Sequence, residues 1–261
     1  VLKTGTPKFL KKFSGQLFVL SQGASGHFNY AHWLFDIIPK LKMFSEKYNI
    51  QDIDFFYFSK LTIFQKETLR LLNINLKKIV DSNKFRHVQA SKIYTVSHPN
   101  YFNGTIFKAH GNIPVWIIIY LRKLFLKRIK KKFKFDNIFI DRSDSTQEHC
   151  KLTNNREVIN FLKSKNFKIL KLSDFSIIDQ VSIFNNCKKI IAPHGAGLAN
   201  ITFCKQKTKI IELFPKNHPS TTHRRISGIN KLNYRSIYCR KITNDKKGDM
   251  FINLDTLKKI I

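Results

Sequence analysis

Carboxylates are scarce in this chain: 17 Asp and Glu stand against 47 Lys and Arg in 261 residues, a formal net charge of +30. Cysteine is sparse as well, and Cys150, Cys187, Cys204 and Cys239 form no C-x-x-C pair, so neither a zinc site nor a disulfide framework is indicated. Free thiols in a reducing compartment are the simpler reading. A run of about 18 apolar residues able to span a bilayer is missing too. The nearest candidate, 113–129, is broken by Arg122, Lys123, Lys127 and Arg128. The chain opens on Val1 rather than Met, which leaves room for an upstream signal or anchor. No internal repeat occurs beyond an alternation of β-type and α-type segments.

What is present in quantity is apolar side chain: 43% hydrophobic and 13% aromatic residues, ample for one large or two modest cores. The basic excess raises nucleic acid or an anionic membrane surface as a partner. It is mostly lysine, however, spread along the whole chain among Ile, Asn and Phe in the manner of an AT-rich genome. The densest cluster, Lys127 to Lys134, reads as the polar end of an amphipathic helix. This pattern predicts peripheral contact with a membrane surface and no nucleic-acid partner. Together with the free thiols, it places the protein in the cytoplasm, at the inner face of a membrane, or, in a eukaryote, in the ER/Golgi lumen.

Periodicity predicts an α/β fold. Strands are expected at 16–20, 54–58, 78–81 and 92–96, with helices at 30–47 and 61–72, the first kinked or divided by Pro39. A loop over 98–112 is a candidate for acceptor recognition. The longest helix, 113–132, is expected to join two α/β halves, 1–125 and 126–261. In the second half, strands at 137–141, 167–172, 190–192, 209–214 and 235–240 alternate with helices at 155–165, 176–186 and 224–231.

The most informative stretch is 188–215, which reads as strand, glycine loop, short helix, strand. Pro193-His194-Gly195-Ala196-Gly197-Leu198 lies between two apolar runs. The two glycines clear side chains from a sharp turn, so an anion can approach the first N–H groups of the helix beginning near Ala196. Glu212 closes the next strand, where ligands of open α/β sheets bind. A second constellation is Gly26-His27-Phe28-Asn29-Tyr30-Ala31-His32-Trp33-Leu34-Phe35-Asp36. His32 and Asp36 are four apart and share a helical face, and a carboxylate on one imidazole nitrogen raises the basicity of the other. His27, His32 and Asp36 could instead hold a metal. Asp52-Ile53-Asp54 precedes a strand rather than following one, so it reads as a turn, and no metal or other cofactor is expected.

His194 to Asn200 with Ile211-Glu212-Leu213-Phe214-Pro215 resembles the C-terminal signature of glycosyltransferase family 61. Asn29, Tyr30, His32, Trp33, Asp36, Pro39 and Leu41 are similar to that family's N-terminal motif, with Lys40 in place of its arginine. Ile138 to Arg142 looks like its strand ending in arginine, continued by Lys151, Asn154 and Glu157, with Lys151 again where arginine is usual. The resemblance implies a GT-B-like fold of two Rossmann-like domains facing a cleft. It also implies inverting transfer from a nucleotide-sugar, typically UDP-linked, to a hydroxyl of a glycan, polysaccharide or glycoprotein acceptor. On this reading His32 and Asp36 are catalytic, while Arg142, His194, Gly195, Ala196, Gly197, Leu198, Asn200 and Glu212 bind the donor, Glu212 through the ribose hydroxyls. His27, Asn29 and Lys151 contact the acceptor or support the site. The competing readings are a metal-dependent hydrolase built on His27, His32 and Asp36, and a basic non-catalytic module binding nucleic acid or a surface.

Overall fold

The structure is a computed structural model that describes residues 9–21, 28–100, 111–145, 149–216, 220–241 and 248–261. The chain divides into two compact units, Val1–Tyr101 and Phe102–Ile261. The division falls ahead of the long helix rather than at residue 125, because that helix packs its apolar face within the second unit.

The first unit is built on a four-stranded, all-parallel sheet of β1 (Lys11–Val19), β2 (Phe55–Phe58), β3 (Ile79–Asp81) and β4 (Val88–Tyr94), in the order β3-β2-β1-β4. β1 begins five residues earlier than its apolar core suggests, and its pairing with β4 shifts register between Phe13 and Gln16. Gly15 sits in that irregularity at φ 146°, where a Cβ would stand 2.5 Å from Asp54 Oδ2. Asp54 accepts the Gln16 N–H at 2.8 Å, and Asp52 closes a 3-10 turn, so the Asp-x-Asp segment is a turn into β2.

The chain after β1 enters α1 (Tyr30–His32), passes through a π-helical turn (Trp33–Ile37) and continues as α2 (Ile38–Ser45). The expected division at Pro39 takes this form because proline cannot donate to the carbonyl one turn back. Trp33, Leu34, Phe35, Ile37 and Ile38 are buried. α3 (Ile63–Leu71) follows, started by Gln65 reaching back to the Thr62 N–H at 2.8 Å.

The second unit carries a six-stranded sheet of β5 (Asn137–Ile140), β6 (Lys168–Leu170), β7 (Lys189–Pro193), β8 (Lys209–Pro215), β9 (Asn233–Lys241) and β10 (Met250–Phe251), in the order β10-β9-β8-β7-β5-β6. All pairings are parallel except that of the short β10 on β9. The strands read as continuous apolar runs because parallel strands are covered on both faces. Phe139, Ile191, Ile211, Leu213 and Ile237 join Val158, Leu162 and Leu257 in one core.

The helices are α4 (Val115–Leu126), α5 (Asn155–Ser164), α6 (Ile177–Asn186), a 3-10 helix (Ala196–Phe203), α7 (Thr222–Ile229) and α8 (Leu254–Lys258). α4 ends at Leu126, so the Lys127 to Lys134 cluster is not helical and the expected basic amphipathic helix does not extend through it. Arg122 turns inward, donating at the end of the 3-10 helix to the carbonyls of Cys204 at 2.8 Å and Thr202 at 2.6 Å, the latter shared with Asn230 Nδ2 at 2.9 Å. All four cysteines are buried free thiols. No helix among the described residues is long and apolar enough to cross a membrane.

Strand order locates a crevice in each unit. In the first, β2 and β3 lie to one side of β1 and β4 to the other. In the second, β6 lies to one side of β5 while β7, β8 and β9 lie to the other. At such reversals the connections leave the sheet in opposite directions and open a gap outside the carboxyl ends of the strands.

Candidate functional site

In the first unit the reversal lies between β1 and β4, and the residues following these strands meet there. Asn29 caps α1 by accepting from the N–H groups of Ala31 at 2.9 Å and His32 at 3.2 Å, which fixes the start of the helix carrying His32. His32 Nδ1 lies 2.6 Å from Asp36 Oδ2, the geometry of an imidazole N–H donating to a fully buried carboxylate. Asn100, after β4, donates its amide to Asp36 Oδ1 at 2.8 Å and to the Phe35 carbonyl at 2.9 Å. The second bond follows from Pro39: the Phe35 carbonyl lacks its helical donor four residues on, and the Asn100 amide takes that place. His98 Nε2 stands 4.0 Å from Asp36 Oδ1, and its Nδ1 accepts the Asn100 N–H at 3.0 Å. Lys40 is buried nearby and donates to the Ser21 carbonyl at 3.3 Å. Burial lowers its ammonium to about 8 even though Asp36 pulls the other way. His27 lies outside the described residues.

In the second unit the reversal lies between β5 and β7, and a pocket of about 310 Å³ opens there, lined by Arg142, Lys151, His149, Ser143, Asn155 and Pro193 among others. Asp141, just past β5, lines this pocket and ties its wall together. Its Oδ1 accepts from Ser143 N at 3.0 Å and Asn155 Nδ2 at 2.9 Å, and its Oδ2 from the Ser143 hydroxyl at 2.9 Å. The Arg142 guanidinium donates to the carbonyls of His194 and Cys150, tying the end of β5 to the glycine loop. Arg142 and Lys151 are thus brought together as cations on one pocket. Burial, and then Arg142, lower the His149 pKa, with Asp249 opposing.

The glycines leave room for neighbouring side chains. A Cβ on Gly195 would stand 2.5 Å from Arg142 Cζ, and one on Gly197 would stand 2.8 Å from Leu172 Cδ1. The Leu198 N–H is engaged with the Gly195 carbonyl at 3.0 Å, so the amides that lead the 3-10 helix are those of Ala196 and Gly197. Leu198 and Asn200 are buried. Asn200 donates to Gln180 at 3.0 Å and to the Gly197 carbonyl at 3.2 Å, locking the turn onto α6.

Glu212 differs from expectation in position. It lies in the middle of β8, paired across from Ala192 and Ser236, and is fully buried. Its Oε1 accepts from His194 Nδ1 at 2.5 Å and His223 Nδ1 at 2.8 Å, and its Oε2 from the Tyr234 hydroxyl at 2.6 Å. No carboxylate surface is exposed, and both oxygens are taken up by these three donors. Burial opposes its charge, yet His223 and His194 prevail and keep it well below the usual carboxylate range. The Tyr234 hydroxyl is pushed well above its ordinary value by burial and by Glu212.

The ligand-type atoms of His194, Glu212 and His223 fall within 4.8 Å of one another. The 2.5 and 2.8 Å separations are those of hydrogen bonds. Two ligands about 2.0 Å from one tetrahedral cation would stand more than ~3 Å apart.

His98, Asn100, His149, His223 and Tyr234 join these clusters without having been singled out in the sequence. The only advance signal was that His98 and Asn100 fall in the segment expected to be a functional loop. No curated protein matches the chain in comparison. Residues 30–211 match the family model Glycosyltransferase 61, a stretch that runs from the Asn29-capped helix into the start of β8 and takes in both reversal points. The chain belongs to glycosyltransferase family 61.

Proposed function

We propose that this protein is an inverting glycosyltransferase of GT-B type that moves a sugar from a nucleotide-sugar donor, UDP-linked, to a hydroxyl of a glycan, polysaccharide or glycoprotein. The observation that carries the reading is the pocket at the β5/β7 reversal, where Arg142 and Lys151 line a space at the carboxyl ends of parallel strands and Arg142 ties it to the glycine loop that follows β7. Such a set stabilises the charge that develops on a departing diphosphate. Arg142 can present its fork to phosphate while its bond to the His194 carbonyl holds the loop in place. Glu212 fixes the His194 ring by taking its Nδ1–H, which turns Nε2 to the task of binding.

In the first unit the Asp36 carboxylate orients His32 through Nδ1 and raises the basicity of Nε2. His32 then takes the proton of the acceptor hydroxyl as its oxygen attacks the anomeric carbon and the bond to the diphosphate breaks. One such displacement inverts the anomeric configuration.

The test is a thermal-shift comparison with UDP, GDP and CMP. A ligand that binds only the native state at 100 times its Kd adds about 2.7 kcal/mol. UDP is expected to raise the melting temperature, and His194→Ala to remove most of that rise. The absence of any shift with a nucleoside diphosphate in a folded sample would overturn the donor assignment.

A further inference from the structure

Between one face of α7 and the start of β9 lies a second pocket, of about 480 Å³, which shares no lining residue with the pocket at the ends of β5 and β7. Arg224, Ser227 and Gly228 are spaced three and four apart, so they form one face of α7. Tyr234, Arg235 and Ser236 at the start of β9 supply the opposite wall. No carboxylate lines the pocket, and both guanidinium-bearing side chains are exposed to solvent around it.

Two further observations show that the pocket is more than a basic patch. The Ser227 side chain is 1% exposed, and its hydroxyl has no hydrogen-bond partner among the described residues. Leaving a buried hydroxyl unsatisfied is costly, and such a group in a native structure calls for a missing partner. Gly228 is a poorer helix residue than alanine, yet a Cβ there would meet nothing within 4 Å. Packing does not require the glycine; its effect is to leave the wall beside Ser227 at the level of the backbone.

We infer that this pocket is an oxyanion site, taking a phosphate or carboxylate group between Arg224 and Arg235 with the Ser227 hydroxyl donating to it. Guanidinium forks match the planar or tetrahedral array of such oxygens, and the buried hydroxyl supplies a further donor. The site lies beside the first half of β9, where Ser236 pairs across from Glu212, whereas the other pocket is reached from the last residue of β7. It is therefore a second anion site, with an occupant separate from the donor diphosphate.

The test titrates the full chain with inorganic phosphate at constant ionic strength, with UDP saturating, and reads binding by calorimetry and melting temperature. Phosphate is expected to bind saturably, and Arg224→Gln with Arg235→Gln to weaken it at least ~10-fold, the scale of losing charged hydrogen bonds. The same double variant keeps its response to UDP, which separates this site from the donor site. Ser227→Ala is expected to weaken phosphate binding while leaving the ligand-free protein as stable or more so, and it keeps the test open should the double variant not fold. Methyl phosphate binding as well as phosphate would point to a phosphomonoester on a larger molecule. Preferential binding of glucuronate would point to a uronic acid residue, and binding of inorganic phosphate alone to the free ion. Undiminished phosphate binding in both variants, or no saturable binding of any of the three probes, would overturn the assignment.

Discussion

Replacing Glu212 by glutamine tests whether the buried carboxylate organises the loop that carries His194. The substitution preserves shape, and the amide oxygen can still accept from His194 and His223 while the amide nitrogen faces the Tyr234 hydroxyl. What disappears is the charge behind three hydrogen bonds of 2.5, 2.8 and 2.6 Å. A bond to a charged group contributes about 1.5–3 kcal/mol and a neutral one about 0.5–1.5, so the three together lose roughly 3–4.5 kcal/mol. In a chain of this size that is a fall in Tm of roughly 6–18 °C.

The pH dependence has a definite sign. The folded-state pKa of Glu212 lies below its unfolded value of about 4.5. Its contribution is therefore fully present above that value and is lost as pH falls through the lower, folded one. The gap between wild type and Glu212→Gln should be widest near pH 7 and shrink on acidification below about 4.5. Urea unfolding followed at pH 7, 5 and 3.5 measures it. Equal stability of the two proteins at pH 7, or a gap that does not narrow in acid, would refute the charged hub.

The other expectations concern the first unit. Asp36→Asn should preserve UDP affinity while lowering turnover by roughly 10² to 10⁴, the scale of a lost general base; steady-state rates paired with donor titrations check it, and unchanged turnover rules the role out. Asn100→Ala removes the donor to both Asp36 and the Phe35 carbonyl, so a loss of roughly 2–4 kcal/mol is expected, against near-neutrality if these bonds are incidental. For Lys40 the folded value of about 8 lies below the ordinary 10.5, so the folded chain binds fewer protons between the two and stability should rise with pH across that window. Lys40→Met should abolish that rise, as melting curves between pH 7 and 10.5 would show.

Local pattern was enough for much of this protein. Period-2 and continuous apolar runs gave the strands around Phe56, Phe139, Ile191, Ile211 and Ile237, because a parallel strand covered on both faces admits little else. The four-residue spacing of His32 and Asp36 survives the π-helical turn, and the pair is hydrogen-bonded as the spacing implied. His194 and the glycine loop were legible because a strand-to-helix turn constrains residue type directly. The Lys127 to Lys134 cluster misled because charge alone does not extend a helix once its buried face ends at Phe125. The partners of the site were beyond local pattern. Asn100 reaches Asp36 across 64 positions of sequence, His223 and Tyr234 reach Glu212 across 11 and 22, and no periodicity links such residues. Strand order brings each set together within its own unit, and only the tertiary structure shows that Glu212 is surrounded in the middle of its strand rather than open at the end. Sequence alone determined which groups could carry the chemistry. Packing decided which of them are buried, which are held by hydrogen bonds and which face a pocket, because those properties depend on neighbours that the chain supplies from far away.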